Sequence, residues 1–488
     1  MKRTLLSAMV LLGVSAGAHA ENLLDIYQQA QIKDTQLQES KAKRDQAFEK
    51  INESRAALLP QINLGAGLNY LQNKGDTQTN SNATGSLSLD QSIYRRSNWV
   101  NLDLTEKSAT QSDVAYNLEI QNLMLRTAQA YFNVLKAMDT LEFVRANKAA
   151  VERQLEQTQQ RFEVGLTAIT DVHEAEAERD QALADEINAE NTLDNSYESL
   201  RELTGIDHRQ LDVLNTERFS PQKTPFNSDK WLELALDKNL QLHSARIGKD
   251  IAKEQIDLAK TGHEPTLDLG AGLSSTYSDY KDEIRNPESN SNQGNIGLNF
   301  KLPLYTGGAT TSQVKQSQFN YVAASEQLER SFRSVQSTVR SSYNNVNASI
   351  GSVRAYGQSV ISADSALKAT EAGYEVGTRT IVDVLDSTRK LYQAKQKLSE
   401  ARYNYILSIL SLKQAAGTLE QKDLEEVNQG LIPAAQVKNK SRSRRASSKK
   451  ATPGSPFCYP LSVARTSRFS CRRLVNAARL PYSGACQT

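Results

Sequence analysis

Proline is missing from two long stretches of this 488-residue chain, Gln61 to Ser220 and Leu304 to Ile432. A proline inside a helix costs about 3 kcal/mol, so these gaps leave room for very long helices. Aromatic residues are scarce, with two Trp and eleven Phe. Mean hydropathy is -0.55, and hydrophobic residues make up 39% of the chain. That composition excludes one large compact core and suits long, thin helical packing. Beyond the first twenty residues no run reaches the roughly 18 apolar residues that a spanning helix requires. Cysteine is confined to Cys458, Cys471 and Cys486, so the body of the chain has neither a disulfide framework nor thiolate metal ligands.

Chemistry-bearing motifs are also few. His173, His208, His243 and His263 show no paired ligand spacing, and His19 lies in the first twenty residues. Gly270-x-Gly272 lacks a third glycine and opens no helix, which argues against a dinucleotide site. No nucleophile–base motif stands out. The expectation is a protein that is not an enzyme and has no metal or cofactor.

The first twenty residues have the layout of a secretory signal. Lys2 and Arg3 are its charged start, Leu5 to Val14 its apolar stretch, and Ala18-His19-Ala20 its cleavage site before Glu21. An exported chain without a membrane helix is periplasmic, released, or an outer-membrane β-barrel. Residues 437–488 form a tail with twelve Lys and Arg and no acid. The 58 basic residues of the chain, less those twelve and Lys2 and Arg3, leave 44 against 56 acidic residues. The body is therefore acidic. The tail is expected to be disordered, although a basic run can also bind nucleic acid or anionic lipid; nucleic acid is not an expected partner of the body.

The body is written twice. Leu64-Gly65-Ala66-Gly67-Leu68 recurs as Leu269-Gly270-Ala271-Gly272-Leu273, and Glu163-Val164-Gly165 with Ile169 and Asp171-Val172 recurs as Glu375-Val376-Gly377 with Ile381 and Asp383-Val384. A period this large is not that of a small-motif solenoid. The domain expectation is a signal at 1–20, a first repeat at 21–227, a second at 228–436 and the tail at 437–488.

In each repeat the proline-free stretch predicts a rod of nearly seventy residues, Ser97 to Val164 and Ala309 to Val376, which at about 1.5 Å per residue reaches roughly 100 Å. Each turns at a glycine, Gly165 or Gly377, into a partner helix. In the second partner Val384, Leu391, Leu398, Tyr405 and Leu412 recur every seven residues. Three places on lie Ser387, Ala394, Ala401, Ser408 and Ala415, and the first copy keeps this small side in Ala175, Ala182, Ala189 and Ser196. A large-and-small heptad seam marks a coiled coil with close backbone approach. Shorter helices are expected at Leu23 to Leu59 and Ser228 to Gly262, each ending just before a proline, with short helices and strands in the linkers Ile206 to Asn227 and Thr418 to Pro433.

After Pro60 the period changes to two. Ile62, Leu64, Ala66, Leu68 and Tyr70 alternate with polar residues or glycine; so do Leu87, Leu89 and Ile93, then Leu267, Leu269, Ala271 and Leu273, and Ile296, Leu298, Phe300 and Leu302. Four strands of about 8–10 residues result, in two hairpins with polar connections at Gln72 to Asn82 and Ser275 to Gly294. Tyr70, Tyr94 and Tyr305 lie at strand ends. The pattern fits a membrane barrel with lipid outside and water inside, and it also fits a half-buried soluble sheet. Four strands do not close, since small bacterial barrels need about eight. Two chains would give eight strands with a filled interior, three would give twelve with an open one, and the polar inner face argues for three.

Four further segments carry a family resemblance: Tyr131-Phe132-Asn133-Val134, Arg161-Phe162-Glu163-Val164-Gly165, Ala168-Ile169-Thr170-Asp171-Val172, and Gly377 through Asp386 in the order Gly-Thr-Arg-Thr-Ile-Val-Asp-Val-Leu-Asp. From Glu21 to about Gly430 the chain resembles the TolC family of trimeric outer-membrane efflux proteins. The resemblance implies a mainly helical α+β outer-membrane fold. In it, long coiled-coil helices build a trimeric α-barrel in the periplasm, and four strands per chain build a shared twelve-stranded β-barrel in outer-membrane lipid. The function it implies is efflux of drugs and other small molecules and type I protein secretion. It also implies a homotrimer that docks to a periplasmic adaptor and an inner-membrane RND pump or ABC exporter.

The same resemblance places entrance rings for cation selection at Asp383 and Asp386, three residues apart on one face of a helix start. Thr380-x-x-Asp383 also has capping-box spacing, so helix capping is an alternative explanation of Asp383 and, by symmetry, of Asp171. A gate network is implied that joins Tyr374 and Arg379 to Thr170 and Asp171, and Gln154 to Glu371; Arg379 could equally be a solvated surface charge. A competing reading of the whole chain is a soluble periplasmic coiled-coil adaptor or structural rod, which leaves the four strands unexplained.

Overall fold

The computed structural model describes residues 21–72, 79–281 and 288–433. The signal segment, the tips of both strand hairpins and the basic tail lie outside the described residues. Two helices, α1 (Leu23–Lys33) and α2 (Thr35–Ala56), lead into strands β1 (Gln61–Gln72) and β2 (Thr79–Tyr94). The long helix α3 (Arg96–Glu163), its partner α4 (Ile169–Thr204) and the short strand β3 (Val213–Leu214) follow. The order then repeats as α5 (Ser228–Lys238), α6 (Leu240–Lys260), β4 (Thr266–Lys281), β5 (Glu288–Lys301), α7 (Ala309–Glu375) and α8 (Ile381–Ala415). The described chain closes with α9 (Gln421–Gln429) and β6 (Leu431–Ile432). At 68 and 67 residues, α3 and α7 are unbroken rods of about 100 Å, as the absence of proline permits.

The four long strands form one antiparallel sheet in the order β1-β2-β4-β5. Its register aligns the alternation of every strand. Ile62 lies opposite Leu89, Leu89 opposite Ala271, and Ala271 opposite Ile296; Leu64, Leu87 and Leu273 make a second row. On the other face run Asn63, Ser88, Gly272 and Asn295. Among the described residues none covers the apolar face, where Leu64 is 84%, Leu68 86% and Ile296 79% exposed. A soluble half-buried sheet would turn this face to a core.

The strands are longer than the expected 8–10 residues, at 12 to 16. Segments that had been assigned to polar connections, including Asn80, Asn82, Thr276 and Asn290, continue the ladder. Hydrophobicity alone hides such extensions, because backbone pairing does not need apolar side chains. A register shift between Ser92 and Tyr94 also moves Ile93 into a bulge. Gln91, opposite Leu269, stands on the apolar face instead and donates to the carbonyls of Leu58 and Ser92 at 2.9 Å each.

The two expected entry helices are each broken once. Asp34 ends α1, and its Oδ1 accepts from the Leu37 N–H at 2.7 Å to start α2. Asn239 does the same between α5 and α6 and also donates to the Ala415 carbonyl at 2.8 Å. Short Asx side chains favour caps over helix interiors, and here they override otherwise helical surroundings. In the linkers, β3 pairs with β6, and Glu21 bridges Leu211. This band packs with α1, α5 and α9 over the large core, where Tyr27, Tyr131, Phe132, Leu200, Leu211 and Leu410 are fully buried.

Lateral packing leaves matching free edges. Near the sheet the helices neighbour in the order α2, α3, α6, α7; beyond the band the order is α4, α3, α8, α7. One edge therefore carries β1, α2 and α4, and the other carries β5 and α7. The helices of both edges carry exposed apolar side chains: Phe48 on α2 and Leu183 and Ile187 on α4, and Phe319, Val322 and Ile361 on α7.

Gly417 ends α8 at φ +70, and a Cβ there would lie 2.3 Å from the Lys238 carbonyl oxygen. Gly205, which ends α4 at φ +71, faces open space. Gly417→Ala is expected to destabilise by about 3 kcal/mol or more, against about 1 kcal/mol for Gly205→Ala. Apparent melting temperatures of the two variants, measured side by side, check that order.

Candidate functional site

Sequence reasoning directs attention to the ends of the helix pairs, where both turns are closed in the same way. At the first, the Gly165 N–H donates to the Phe162 carbonyl and the Leu166 N–H to the Arg161 carbonyl. At the second, Gly377 donates to Tyr374 and Thr378 to Gly373. Each glycine has positive φ, 79 and 76, which a side chain would strain. These paired bonds are the Schellman arrangement, and they satisfy carbonyls that the helix ends would otherwise leave unpaired.

The partner helices start differently. Thr380 caps α8 in a full capping box: its hydroxyl accepts from the Asp383 N–H at 3.3 Å, and its own N–H donates to the Asp383 carboxylate at 3.0 Å. In the first repeat Ala168 takes the cap position and makes no side-chain bond. Asp171 is engaged instead by the Thr167 hydroxyl. Capping therefore accounts for part of what Asp383 does, but not for Asp171, whose carboxylate bonds a side chain and, among the described residues, no helix N–H.

Asp383 is solvent-accessible, and its carboxyl is held below the ordinary range, chiefly by the Thr380 N–H, then by the Thr380 hydroxyl, with Arg379 adding a favourable charge. One turn on, the half-buried Asp386 pairs with Lys390 at 2.6 Å and lies 3.9 Å from Arg389. Arg389 in turn reaches Glu178 on α4 at 3.3 Å. Asp386 is thus a partly neutralised acid, whereas Asp383 has no ion pair among the described residues. The family resemblance pointed to both acids, but nothing in the sequence signalled the Arg389–Glu178 contact, which joins residues from different repeats.

Behind the tips a small apolar cluster of Val151, Leu155, Val172, Ala175, Ile381 and Leu385 draws α3, α4 and α8 together, with Tyr374 of α7 packed against it. The Arg161 guanidinium stacks 4.6 Å above the Tyr374 ring, a contact the sequence did not suggest. The expected network is not formed within one chain. Among the described residues no hydrogen bond or ion pair joins Tyr374 or Arg379 to Thr170 or Asp171, or Gln154 to Glu371. Tyr374 Oη and Gln154 Nε2 are buried without a partner. Thr170, Glu371 and Arg379 are exposed.

The sequence matches the family described as "Outer membrane efflux protein" over residues 26–206 and 231–418, once in each half. The chain belongs to the outer membrane efflux protein family. It is 54% identical over 419 residues to the outer membrane protein TolC of Vibrio cholerae, covering 86% of this chain and 95% of that one. It is 28% identical to the proteases secretion protein PrtF of Dickeya chrysanthemi, covering 88% and 95%. In three dimensions it resembles the CmeC outer membrane channel of Campylobacter jejuni with a TM-score of 0.70 at 17% identity, over 84% of this chain and 90% of that one. That likeness carries the fold: the uncovered apolar sheet and the long helices are those of an outer-membrane channel, not of a soluble rod.

Because the folded state lowers the Asp383 pKa, the capping box stabilises α8 at pH values above the unfolded-state pKa. It loses that contribution as pH falls through the lower folded value. Fraying of residues 381–385 is therefore expected to increase only below the usual Asp range, and Asp383→Asn should remove this acid dependence. Amide exchange of the first turn of α8, corrected for its intrinsic pH dependence, measures it.

Proposed function

We infer that this chain is an outer-membrane channel for efflux and type I secretion, and that three copies pool their sheets into one barrel. The observation that carries the reading is the four-stranded sheet, apolar and uncovered on one face, polar on the other, with β1 and β5 unpaired on their outer sides. In hydrocarbon every backbone polar group must be paired, so these edges have to meet. The edges differ, hence the contact is head-to-tail and generates a ring. Three copies give twelve strands, enough for a water-filled lumen, and the same operation sets α7 of one copy against α2 and α4 of the next.

The family and the name of the secretion relative support docking to a periplasmic adaptor and an inner-membrane RND pump or ABC exporter. The channel then supplies the passage while its partners supply energy and selection. In the trimer, Asp383 and Asp386 form two stacked rings of carboxylates at the periplasmic entrance. Fixed negative charge at a constriction attracts cations and repels anions. Asp383 has the stronger charge of the two, because Asp386 is paired with Lys390.

Arg379 and Glu371 stand exposed near the tip of α7, on the free edge that the α4 of the next copy would face. This arrangement favours a gate whose polar links, Arg379 to Thr170 and Asp171 among them, close between copies. Tyr374 then serves the closed state through its ring, which packs on the tip cluster and beneath Arg161. Such an entrance is a two-state element, shut at rest and opened on engagement by its partners.

Chemical crosslinking of the purified protein in detergent should end at three copies, and the protein should fractionate with the outer membrane; a monomer in the soluble periplasm would refute the channel. In planar bilayers Asp383→Asn should weaken cation selectivity more than Asp386→Asn, as read from reversal potentials in a salt gradient. The double substitution Tyr374→Phe with Arg379→Ser should raise single-channel conductance severalfold, and unchanged conductance would remove these residues from the gate.

A further inference from the structure

The α3–α8 seam joins the helix pair of the first repeat to that of the second, and its polar contacts change character along its length. About 36 Å from the tip, at 1.5 Å per residue, the α3 side chain of Asp139 meets two hydroxyl groups of α8. Tyr403 Oη donates to its carboxylate at 2.8 Å, and the Ser399 hydroxyl donates to the same oxygen. Phe132 of α3 packs on the Tyr403 ring with centroids 5.7 Å apart, and Lys136 pairs with Glu400 at 2.6 Å. Arg402 adds a favourable charge without an ion pair to Asp139, and burial pushes the Asp139 carboxyl above its ordinary range. Ser399 and Tyr403 are both buried.

Nearer the tip the seam is differently made. Asn147 and Gln154, seven residues apart on α3, bury Oδ1 and Nε2 respectively with no hydrogen bond among the described residues. A buried polar atom without a partner costs free energy that exposure to water returns. Parting the lower seam therefore lets water reach Asn147 and Gln154, at the loss of a small apolar cluster and the Arg389–Glu178 ion pair. Parting the upper contact would instead strip the half-buried Asp139 carboxylate of both its donors.

We propose that Asp139, Ser399 and Tyr403 form a clasp that fixes α8 to α3 and sets the upper limit of entrance opening. Below Ser399, α8 leaves α3 when the tips release; above Tyr403 it stays in place, so the wall of the tunnel remains intact while its mouth widens. The three are positioning residues and touch no cargo. The inference rests on the gate reading above, since it assigns a pivot to that gate.

The test uses the full-length protein in detergent, with hydrogen exchange read by mass spectrometry and conductance read in bilayers for the same variants. In the Tyr374→Phe/Arg379→Ser protein, exchange over 381–398 should accelerate about tenfold while 403–412 keeps the parental rate. Adding Ser399→Ala with Tyr403→Phe, which keeps the aromatic ring on Phe132, should carry the acceleration through 403–412. In a protein with intact tips the same pair should change exchange there much less. Asp139→Asn provides a second, near-isosteric probe should the pair fold poorly. Raised conductance with uniform acceleration along all of α8 overturns the clasp but leaves the gate. So does a boundary that stays at Ser399 after the clasp is removed. No rise in conductance and no acceleration overturns both.

Discussion

Backbone hydrogen bonding in a medium without water is the constraint on which this structure depends. An unpaired N–H or C=O in hydrocarbon costs several kcal/mol, and a four-stranded sheet has two edges of them. The chain's helices, band and tips are arranged so that these edges can be paired by other copies. The β1 edge continues down through α2 and α4, and the β5 edge through α7. A single lateral contact therefore runs from sheet to tip, and closing the barrel closes the helical wall beneath it.

Duplication supplies this arrangement economically, but the two halves are not equivalent. Their rods match in length and their strands and helices in order, whereas their polar fastenings differ. Thr380 caps α8 with a full box, while Ala168 gives α4 no side-chain cap. Asp34 is held by Arg126 at 3.2 Å, while its counterpart Asn239 reaches the Ala415 carbonyl. Identical wedges would give a ring with no preferred place to open. Such unequal fastenings, with Asp139 held by two donors and Asn147 and Gln154 lacking partners nearer the tip, are what the proposed gate and clasp draw on.

Much of the architecture was legible in the sequence because it is encoded by periodicity. Missing proline marked both rods, the heptad seam from Val384 to Leu412 marked the partner of the second, and alternation from Ile62 to Tyr70 marked the first strand. The helix breaks at Asp34 and Asn239 were missed, although each is an Asx residue with the side chain a cap needs, because their neighbours continue an otherwise helical pattern. Strand lengths were underestimated because polar residues extend a ladder as well as apolar ones do. At the tips, Asp383 and its cap could be read from spacing, since a capping box is local.

The sequence by itself determined the element types, their order, their repetition and the apolar face of the sheet, all of which follow from regularities within a few turns or strand residues. Tertiary structure decided which polar groups meet: Arg161 over Tyr374, Arg389 with Glu178, and Asp139 beneath Tyr403. The last of these joins residues 264 positions apart. No local period encodes such contacts, because they depend on how two rods lie against each other, and a shift of one helical turn would bring a different set of side chains together.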